Sequence, residues 1–395
     1  RRQRQMCIRD RYSLDNITAY AMAGITSVKY SHWNHFKDAS NYTASYVTSK
    51  DASDAEWIEG LGDASGGHEN DLYIEADPIA TAQLKAGVLY ELGDALSFMS
   101  AIPVVGKIYE ESNVWFNLGL VDKAPVFDQV IQDWDAKMST DPINEKFTAF
   151  EFGLNSRSSD GTMAGSISYY NTNWEDRVST RTVENENGDE DIIYLTGINQ
   201  LHTGIEGEVS MQLNEMFRFD FGLGFGHWRY VDNASGTYRD SEGSDQTYGY
   251  AIEDVRVGDA PQISIIAGLQ AAPIDGLIIE ASFRSYLRNY ADWDPTSREY
   301  TSLAGAPANV NSWRAPDYSI VDLNFSYDVP FEYNGVTPQV YLNIRNALDE
   351  VYVQDAVDNS RYNAYPFRVN DHSANAAEVY LGMPTSYNLG FKFNF

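Results

Sequence analysis

A strict alternation of apolar and polar residues is the feature of this chain that most restricts how it can fold. Between 217 and 226 every odd residue is Phe or Leu, and every even residue is Arg, Asp or Gly. An α-helix would scatter these phenylalanines around its surface, whereas a β-strand places all of them on one face. The pattern therefore predicts a strand with one apolar and one polar face.

The same period of two recurs along most of the chain. It predicts ten strands from Ser112 onward and two upstream, and the region between these two is hard to parse. The predicted strands are 16–30, 81–92, 112–121, 147–155, 162–174, 204–213, 216–229, 261–270, 276–290, 317–328, 339–345 and 379–395. The last exceeds the usual globular strand of about 5 or 6 residues and suits a tilted strand that crosses a bilayer.

The connections between these strands alternate in length. The short ones are 156–161, 214–215, 272–275 and 330–336, and the long ones are 122–146, 175–199, 231–260, 291–316 and 349–378. A soluble sandwich does not sort its loops so strictly, whereas outer-membrane barrels have short periplasmic turns and long extracellular loops. We therefore predict an all-β fold, an antiparallel transmembrane β-barrel.

A barrel also explains an acidic and rather polar composition. Aromatic residues make up 13% of the 395 residues, yet the formal net charge is −29. The sequence contains no run of about 18 apolar residues, which a transmembrane helix would require. In a barrel only every second strand residue faces lipid, so overall polarity is no obstacle. The negative charge repels phosphate backbones, and we expect no nucleic-acid partner.

The first eleven residues differ from the rest of the chain. They contain five Arg and the only cysteine, Cys7, and they lack the apolar stretch of a signal peptide. We interpret residues 1–11 as a scar of gene assembly; the alternative is a basic arm for anionic lipid or nucleic acid. Removing their five Arg and one Asp from totals of 28 and 57 leaves a charge of −33. Residues 12–395 then form one barrel portion, without internal disulfides.

No group of residues in the sequence predicts catalysis, a cofactor or a metal. His32 and His35 are three apart, which places them on opposite faces of a strand. Gly222, Gly224 and Gly226 lie within a strand, so they are no phosphate loop, although they could admit a closely packed segment. An acidic loop could bind calcium, but a solvated loop is favoured because the spacing is irregular. Its carboxylates are Asp232, Asp240, Glu242, Asp245, Glu253, Asp254 and Asp259.

Aromatic residues cluster where predicted strands meet long loops. They are Tyr169, Tyr170, Trp174, Trp228 and Tyr230. Membrane barrels carry girdles of aromatic rings at their interfaces, and we favour that interpretation here. The alternative is that some of these rings stack on a ligand in an outer vestibule.

Four short motifs, in this order, resemble the carboxy-terminal barrel of TonB-dependent outer-membrane receptors. They are a basic-Ala-Pro-x-Phe element, a Gly-aliphatic-Glu opening, the penultimate-strand motif and a Gly-x-Pro lead into the last strand. The matching residues are Ala124, Pro125, Phe127, Gly204, Glu206, Asn343, Asn346, Asp349, Tyr352, Gly382 and Pro384. Leu348 stands where the family has Phe, and Thr385 where it has Arg. The likeness covers roughly 80–395, and more faintly 16–79.

The ending of the chain is also similar to that of the family. Phe391, Phe393 and the terminal Phe395 share one parity, and they resemble the signal read by the outer-membrane assembly machinery. The resemblance implies a location in the outer membrane of a Gram-negative bacterium. It also implies a barrel of roughly 22 strands with an amino-terminal plug, which the energy-coupling protein TonB engages.

Neither the plug nor its TonB box is found in the sequence. At the density of strands observed, the chain holds about fourteen, fewer than a plugged barrel of roughly 22 requires. We therefore expect a fragment with two unpaired sheet edges. The predicted function is uptake of a scarce nutrient of the siderophore, glycan, peptide or cobalamin class. The alternatives are a passive diffusion barrel and a secreted all-β glycan-binding module.

Overall fold

One antiparallel sheet dominates the computed structural model, which describes residues 2–50, 70–102, 107–132, 137–138, 142–184, 190–239, 245–332, 335–359 and 371–394. Thirteen long strands follow one another in chain order, each hydrogen-bonded to its neighbours in sequence. They are β1 (Arg2–Leu14), β2 (Ile17–Lys29), β3 (Ile79–Glu91), β4 (Glu111–Lys123), β5 (Glu145–Arg157), β6 (Met163–Glu184), β7 (Glu190–Gln212), β8 (Phe217–Tyr230), β9 (Ile263–Ile274), β10 (Leu277–Leu287), β11 (Tyr318–Asp328), β12 (Thr337–Arg345) and β13 (Ser386–Asn394). Ten of them begin after residue 110, as predicted.

The two ends of this sheet carry different connections. At the turn end the connections are 15–16, 92–110, 158–162, 213–216, 275–276 and 329–336, and all but 92–110 are short. At the loop end they are 30–78, 124–144, 185–189, 231–262, 288–317 and 346–385. The predicted alternation is therefore confirmed at most connections. The exceptions are 92–110, which is long although it lies at the turn end, and 185–189, which is short although it lies at the loop end.

The predicted loop 175–199 is wrong, because most of it is strand. β6 and β7 pair from Met163 and Met211 at one end to Glu184 and Glu190 at the other. The register shifts between Trp174 and Arg177 and again before Ser179. Ladder hydrogen bonds carry the hairpin across this irregularity, although apolar alternation no longer marks the strands there.

The sheet has an apolar face and a polar face, as the alternation predicts. One apolar row crosses β3 to β8, and apart from the half-buried Tyr169 of β6 its side chains are between 41% and 51% exposed. These are Val88, Phe116, Phe152, Ile205 and Phe225. A matching polar row runs through Arg218, Gln270, Glu280, Asn324, Asn343 and Asn388. Such an extended exposed apolar surface is costly in water and suits contact with lipid.

The first strand includes residues 2–11, which the sequence predicts to be foreign to the barrel. β1 pairs with β2 along its whole length, from Arg2 opposite Lys29 to Leu14 opposite Ile17. Within the described residues, β1 and β13 each pair on one side only, so the sheet stays open at both edges. No helix in the described part of the chain is long and apolar enough to span a bilayer.

The predicted single strand 379–395 is wrong, because it is two strands. Glu378–Leu381 belongs to a small sheet with Val353–Asp358 and Asp292–Trp293, and β13 begins only at Ser386. Between them the N–H of Gly382 donates to the carbonyl of Tyr352 at 2.9 Å. Pro384 has no N–H to continue a ladder. The alternating apolar pattern of 379–395 therefore continues across a turn between two strands.

Short elements cover the loop end. The strands are Ser31–Asp38, Val47–Lys50, Asp71–Glu75, Ile131–Gln132, Lys137–Met138, Ala234–Arg239, Asp245–Tyr250 and Glu299–Tyr300. The 3-10 helices are Ala39–Asn41, Phe127–Gln129, Pro295–Ser297 and Leu303–Gly305, and a fifth, Gly93–Ala101, lies at the turn end. Two apolar cores hold this layer, one around Leu72, Ile74 and Val130 and the other around Tyr250, Ile252 and Trp293.

Candidate functional site

The motif residues near the carboxyl end meet in one clasp between β12 and β13, formed by Asn346, Asp349, Tyr352, Gly382 and Thr385. The Asn346 amide donates to the carbonyls of Glu350 and Met383 at 2.8 and 3.1 Å, and its oxygen accepts from the Glu350 N–H at 2.9 Å. Asn346 and Asp349 both have positive φ, of 48° and 54°. Asn and Asp tolerate this conformation better than most residues, which explains both positions.

Thr385 closes the clasp from the other strand. Its hydroxyl donates to the Asn346 carbonyl at 2.7 Å and to the Asp349 carboxylate at 3.0 Å. Its N–H also donates to Asp349, at 3.1 Å, and these two hydrogen bonds hold the pKa of Asp349 below its usual value. Thr385 therefore has a structural function at the position where the family usually has Arg.

Two aromatic rings complete the clasp. A Cβ added to Gly382 would overlap the ring of Tyr352, so a larger residue there would have to displace that ring. Tyr352 in turn stacks on Tyr318 with ring centroids 4.4 Å apart. Asn343, three residues before Asn346, lies on the polar face of β12, opposite Asn324 and Asn388. These contacts indicate that the motif residues have a structural role: they hold the end of β12 against the start of β13.

The first two motifs are also structural in part. Pro125 accepts a 2.5 Å hydrogen bond from the Tyr30 hydroxyl through its carbonyl. Phe127 lies 6.4 Å from the Tyr30 ring and, with Ala124, packs against the apolar core of the Asp71–Glu75 sheet. This element ties β2 to the loop after β4.

Gly204 and Glu206 lie on the polar face of β7. A Cβ at Gly204 would lie 2.5 Å from the Tyr170 hydroxyl oxygen, so glycine leaves room for that side chain. Glu206 is exposed. Of the terminal aromatic residues, Phe391 and Phe393 are 64% and 56% exposed on the apolar face, and Phe395 lies outside the described residues.

An aromatic wall lies on the polar face, at the loop end of β5 to β8. It consists of Phe147, Tyr170, Trp174, His202 and Trp228. Phe147 and Trp174 have ring centroids 4.8 Å apart, and those of His202 and Trp228 are 5.6 Å apart. The Trp228 indole donates to the Tyr170 hydroxyl at 2.8 Å, and His202 contacts the Gln200 amide oxygen at 2.9 Å. The wall is a half-buried surface of ring faces and polar edges.

Charged groups surround Trp174 in this wall. Its indole N–H donates to Glu145 at 2.9 Å, and Lys123 donates to the same carboxylate at 3.0 and 3.1 Å. The Arg177 guanidinium lies 4.9 Å from the Trp174 ring centroid. Glu145 is buried, so these donors compensate for the loss of hydration. The site can offer a ring face flanked by cations to a bound molecule.

The predicted aromatic girdle is therefore wrong for most of its residues. Tyr170, Trp174 and Trp228 point to the polar face, and Tyr230 is buried in the loop core. Of the five, only Tyr169 lies on the apolar face, and its ring centroid is 5.3 Å from that of Phe152. Adjacent strand residues face opposite sides, so Tyr169 and Tyr170 could never belong to one girdle. Phe147 and His202 were missed because their neighbours are far away in sequence.

A polar cavity of about 780 Å³ lies on the polar face near the turn end. Both of its arginines are paired with lining carboxylates: Arg157 bonds Glu111, and Arg218 bonds Asp220 at 2.9 Å. Asn155 donates to Asn113 at 3.2 Å within the same lining. Glu208 lies there as well, so the lining is acidic overall. The cavity suits a polar peptide surface or water.

A buried arginine joins three outer loops. Within its own loop, 288–317, Arg298 donates to the carbonyl of Val310 at 2.9 Å and to the Ser312 hydroxyl at 3.2 Å. It also donates to the carbonyl of Ala251 in the loop 231–262 at 3.3 Å and lies 3.6 Å from Asp358 in the loop 346–385. Burial lowers the pKa of Arg298, and the charge of Asp358 opposes that shift. Asp358 also contacts His372 at 2.6 Å and accepts the Trp313 N–H at 3.0 Å. Nothing in the local sequence pattern marks this network.

The remaining histidines, glycines and carboxylates lie apart. His32 packs 6.3 Å from Phe127, His227 is exposed on the apolar face, and His68 and the side chain of His35 lie outside the description. A Cβ at Gly226 would lie 2.8 Å from the Trp228 ring, so this glycine accommodates a tryptophan.

The carboxylates of the acidic loop do not converge either. Asp232 accepts from Asn199 at 3.0 Å, Asp254 pairs with Arg229 at 2.6 Å, and Asp240 and Glu242 lie outside the described residues. In the described part of the chain, no three His, Cys, Asp or Glu side chains are grouped to hold a metal ion.

Comparison with known families gives one match. Residues 10–347 match the family described as TonB dependent receptor-like, beta-barrel. A comparison with curated proteins found no match.

Several solved structures share the fold at low sequence identity. The ferric-catecholate import receptor Fiu from E. coli K12 is 14% identical, with a TM-score of 0.54 over 98% of this chain and 44% of its own. The copper transporter OprC is 11% identical, with a TM-score of 0.57 over 100% of this chain and 48% of its own. The ferric yersiniabactin uptake receptor FyuA from Yersinia pestis is 11% identical, with a TM-score of 0.55 over 100% and 46%. The chain thus spans about half the length of these proteins.

Proposed function

Because this chain belongs to the TonB dependent receptor-like β-barrel family, we propose that it takes up a scarce nutrient across the outer membrane with energy supplied through TonB. The family comprises non-enzymatic outer-membrane proteins of Gram-negative bacteria. In such a barrel the apolar face contacts lipid and the polar face lines the lumen. The short turns lie in the periplasm and the long loops outside the cell.

The observation that carries the proposal is the position of the aromatic wall. It lies on the lumen side near the extracellular end, where an arriving molecule first meets the barrel interior. Ring faces bind sugars, peptides and aromatic chelators by apolar contact, and the charge at Arg177 adds attraction for acidic groups, whereas the charge of Lys123 is paired with Glu145. Siderophore, glycan, peptide and cobalamin nutrients all remain candidates for the substrate.

The domain arrangement belongs to the same proposal. Residues 12–395 would form the barrel portion of a longer receptor, whose plug and TonB box are encoded elsewhere in its reading frame. The match of this chain to only 44–48% of the solved receptors supports this division. Residues 1–11 would be foreign to that receptor; the family match begins near their end, at residue 10.

Uptake by cells that produce the full-length receptor tests the transport function. Labelled ferric siderophores, cobalamin, oligosaccharides and peptides are supplied to cells with and without TonB. We expect one class to enter only when both the receptor and TonB are present. Uptake that is unchanged without TonB would favour a passive diffusion barrel. A protein found in the medium and absent from membranes would favour the secreted glycan-binding module.

A pair of variants tests the aromatic wall. Trp174→Ala removes a ring from the polar face, whereas Tyr169→Ala removes one from the apolar face of the same strand. We expect uptake to fall at least tenfold at limiting nutrient for Trp174→Ala and to change less than twofold for Tyr169→Ala. Equal effects of the two variants would show that the loss reflects folding and would remove the wall from the proposal.

Assembly depends on the last residues in this proposal. Phe391 and Phe393 present exposed rings on the apolar face, and Phe395 would complete the signal for the outer-membrane assembly machinery. Deleting Phe395 from the full-length protein should lower the amount of folded barrel in the outer membrane. Heat-modifiable mobility on a gel measures that amount, and an unchanged band would contradict the assembly signal.

A further inference from the structure

The connection 92–110 differs from every other one at the turn end. It has 19 residues, whereas its neighbours 15–16, 158–162 and 275–276 have two to five. It contains the 3-10 helix Gly93–Ala101, none of whose residues is buried. Asp94 is the only charged residue of that helix, in a protein whose turns and loops are otherwise rich in carboxylates.

Two apolar side chains of this connection are exposed in the part of the chain that the structure describes. Phe98 is 70% exposed and Ile102 is 45% exposed. A periplasmic turn surrounded by water has no reason to present a phenylalanine in this way, and such patches usually mark an interaction site.

The second half of the connection shows on which side of the barrel wall it lies. Ser112 and Ser156 have the apolar parity, and their hydroxyls are 2.7 Å apart. Ser112 also donates to the carbonyl of Tyr109 at 2.8 Å and is only 2% exposed. Gly165 of β6 also has the apolar parity. A Cβ added to it would lie 3.2 Å from the Ile108 side chain. Residues 108–109 therefore cover the lipid-facing side of β4, β5 and β6.

Hydrogen bonds fix this half in place. Glu110 accepts from the N–H and hydroxyl of Ser159 at 2.8 and 2.7 Å, and these bonds lower the pKa of Glu110. Lys107 pairs with Asp160 at 3.2 Å. The connection is thus anchored to the adjacent turn on its lipid-facing side, and its exposed helix emerges beside that anchor.

The exposed residues continue the lipid-facing surface. Tyr90 and Val114 are the cross-strand pair nearest this connection on the apolar face, and they are 46% and 40% exposed. Tyrosine is typical of the boundary between acyl chains and headgroups. Short segments with apolar side chains and few charges lie in that boundary and bury their apolar face in it.

We propose that Gly93–Ala101 and Ile102 form an interfacial anchor, which inserts Phe98 and Ile102 into the headgroup boundary of the periplasmic leaflet. The partner is the phospholipid surface that already surrounds the barrel. The anchor lies on the outside of the barrel wall, away from the nutrient path, and it needs no nutrient or TonB to form.

Fluorescence quenching in vesicles tests the anchor. The full-length receptor carries Phe98→Cys as its single cysteine, with any other cysteine replaced by serine. It is labelled with an environment-sensitive dye and is reconstituted in phosphatidylethanolamine and phosphatidylglycerol vesicles. Asp275→Cys, in the exposed turn between β9 and β10, is the aqueous control, and Phe116→Cys, on the apolar face, is the lipid control. Only the heat-modifiable, folded species is measured.

We expect lipids spin-labelled near the headgroup to quench the dye at 98 at least twofold more than at 275, and iodide to show the reverse order. Ser97→Cys, a nearly isosteric change beside Phe98, gives a second reporter if Phe98→Cys folds poorly, and it should follow the same order. Equal lipid quenching at 97 or 98 and at 275, with iodide reaching both equally, would overturn the proposal.

Discussion

Replacement of Asn346 by alanine tests whether the clasp holds the last extracellular loop to the barrel. Asn346 is buried, and its side chain makes three hydrogen bonds, with the N–H and carbonyl of Glu350 and with the carbonyl of Met383. Its φ of 48° adds a backbone cost for a residue with a Cβ that cannot bond locally. The two contributions can be separated by comparing alanine with glycine.

The expected magnitude follows from these contacts. A net value of about 1 kcal/mol per hydrogen bond gives a loss of about 3 kcal/mol in the free energy of unfolding. The left-handed conformation adds about 1 kcal/mol for alanine and nothing for glycine. We therefore expect Asn346→Ala to destabilise by about 4 kcal/mol and Asn346→Gly by about 3 kcal/mol.

Urea unfolding of the receptor in lipid vesicles, followed by tryptophan fluorescence, measures both values. Asn388→Ala is the matched control, because Asn388 is exposed on the polar face of β13, and we expect a change within about 0.5 kcal/mol. A loss below about 1 kcal/mol for Asn346→Ala would refute the hydrogen-bond reasoning. Equal values for alanine and glycine would refute the backbone contribution.

Three further changes test other parts of the structure. Gly390→Val should push aside an aromatic ring of β12 and destabilise by about 1–3 kcal/mol in the same urea assay, whereas Gly119→Ala, which meets open space, should stay within about 0.5 kcal/mol. The hydroxyl and N–H of Thr162 hold the pKa of Asp160 well below its usual value. This stabilisation is present above about pH 4 and is lost on further acidification, so Asp160→Asn should flatten the acid side of the stability profile. Arg298→Met should remove the cation that lies 3.6 Å from the buried Asp358, which keeps its contacts with His372 and the Trp313 N–H. We expect a cost of about 3 kcal/mol, seen as faster proteolysis of the loop layer.

The strands that cross the membrane could be predicted from sequence because their signal is local. In β8, β11 and β12 each residue faces lipid or lumen by parity alone, and the predicted bounds agree with the structure within two residues at each end. The signal fails beyond the bilayer, where both faces meet water. Residues 180–184 of β6 pair fully with β7 but lack apolar alternation, so their strand was mistaken for a loop.

Sites built between strands were harder to predict for another reason. The aromatic wall brings Phe147 to Trp174 and His202 to Trp228, partners 26 or 27 positions apart whose meeting depends on strand register. Arg298 and Asp358 are still further apart and meet through irregular loops. The clasp is the exception, because Asn346 and Asp349 belong to a contiguous motif.

The extended hairpin of β6 and β7 connects the barrel wall to the outermost surface through one continuous pair of strands. Its strands have 22 and 23 residues, whereas about 9–11 suffice to cross the bilayer. At about 3.3 Å per residue, the hairpin extends roughly 35 Å beyond the membrane, measured along its strands. Its ladder is irregular between Trp174 and Ser179. Because Trp174 belongs to the aromatic wall, that wall lies at the base of the part of the hairpin that extends beyond the membrane.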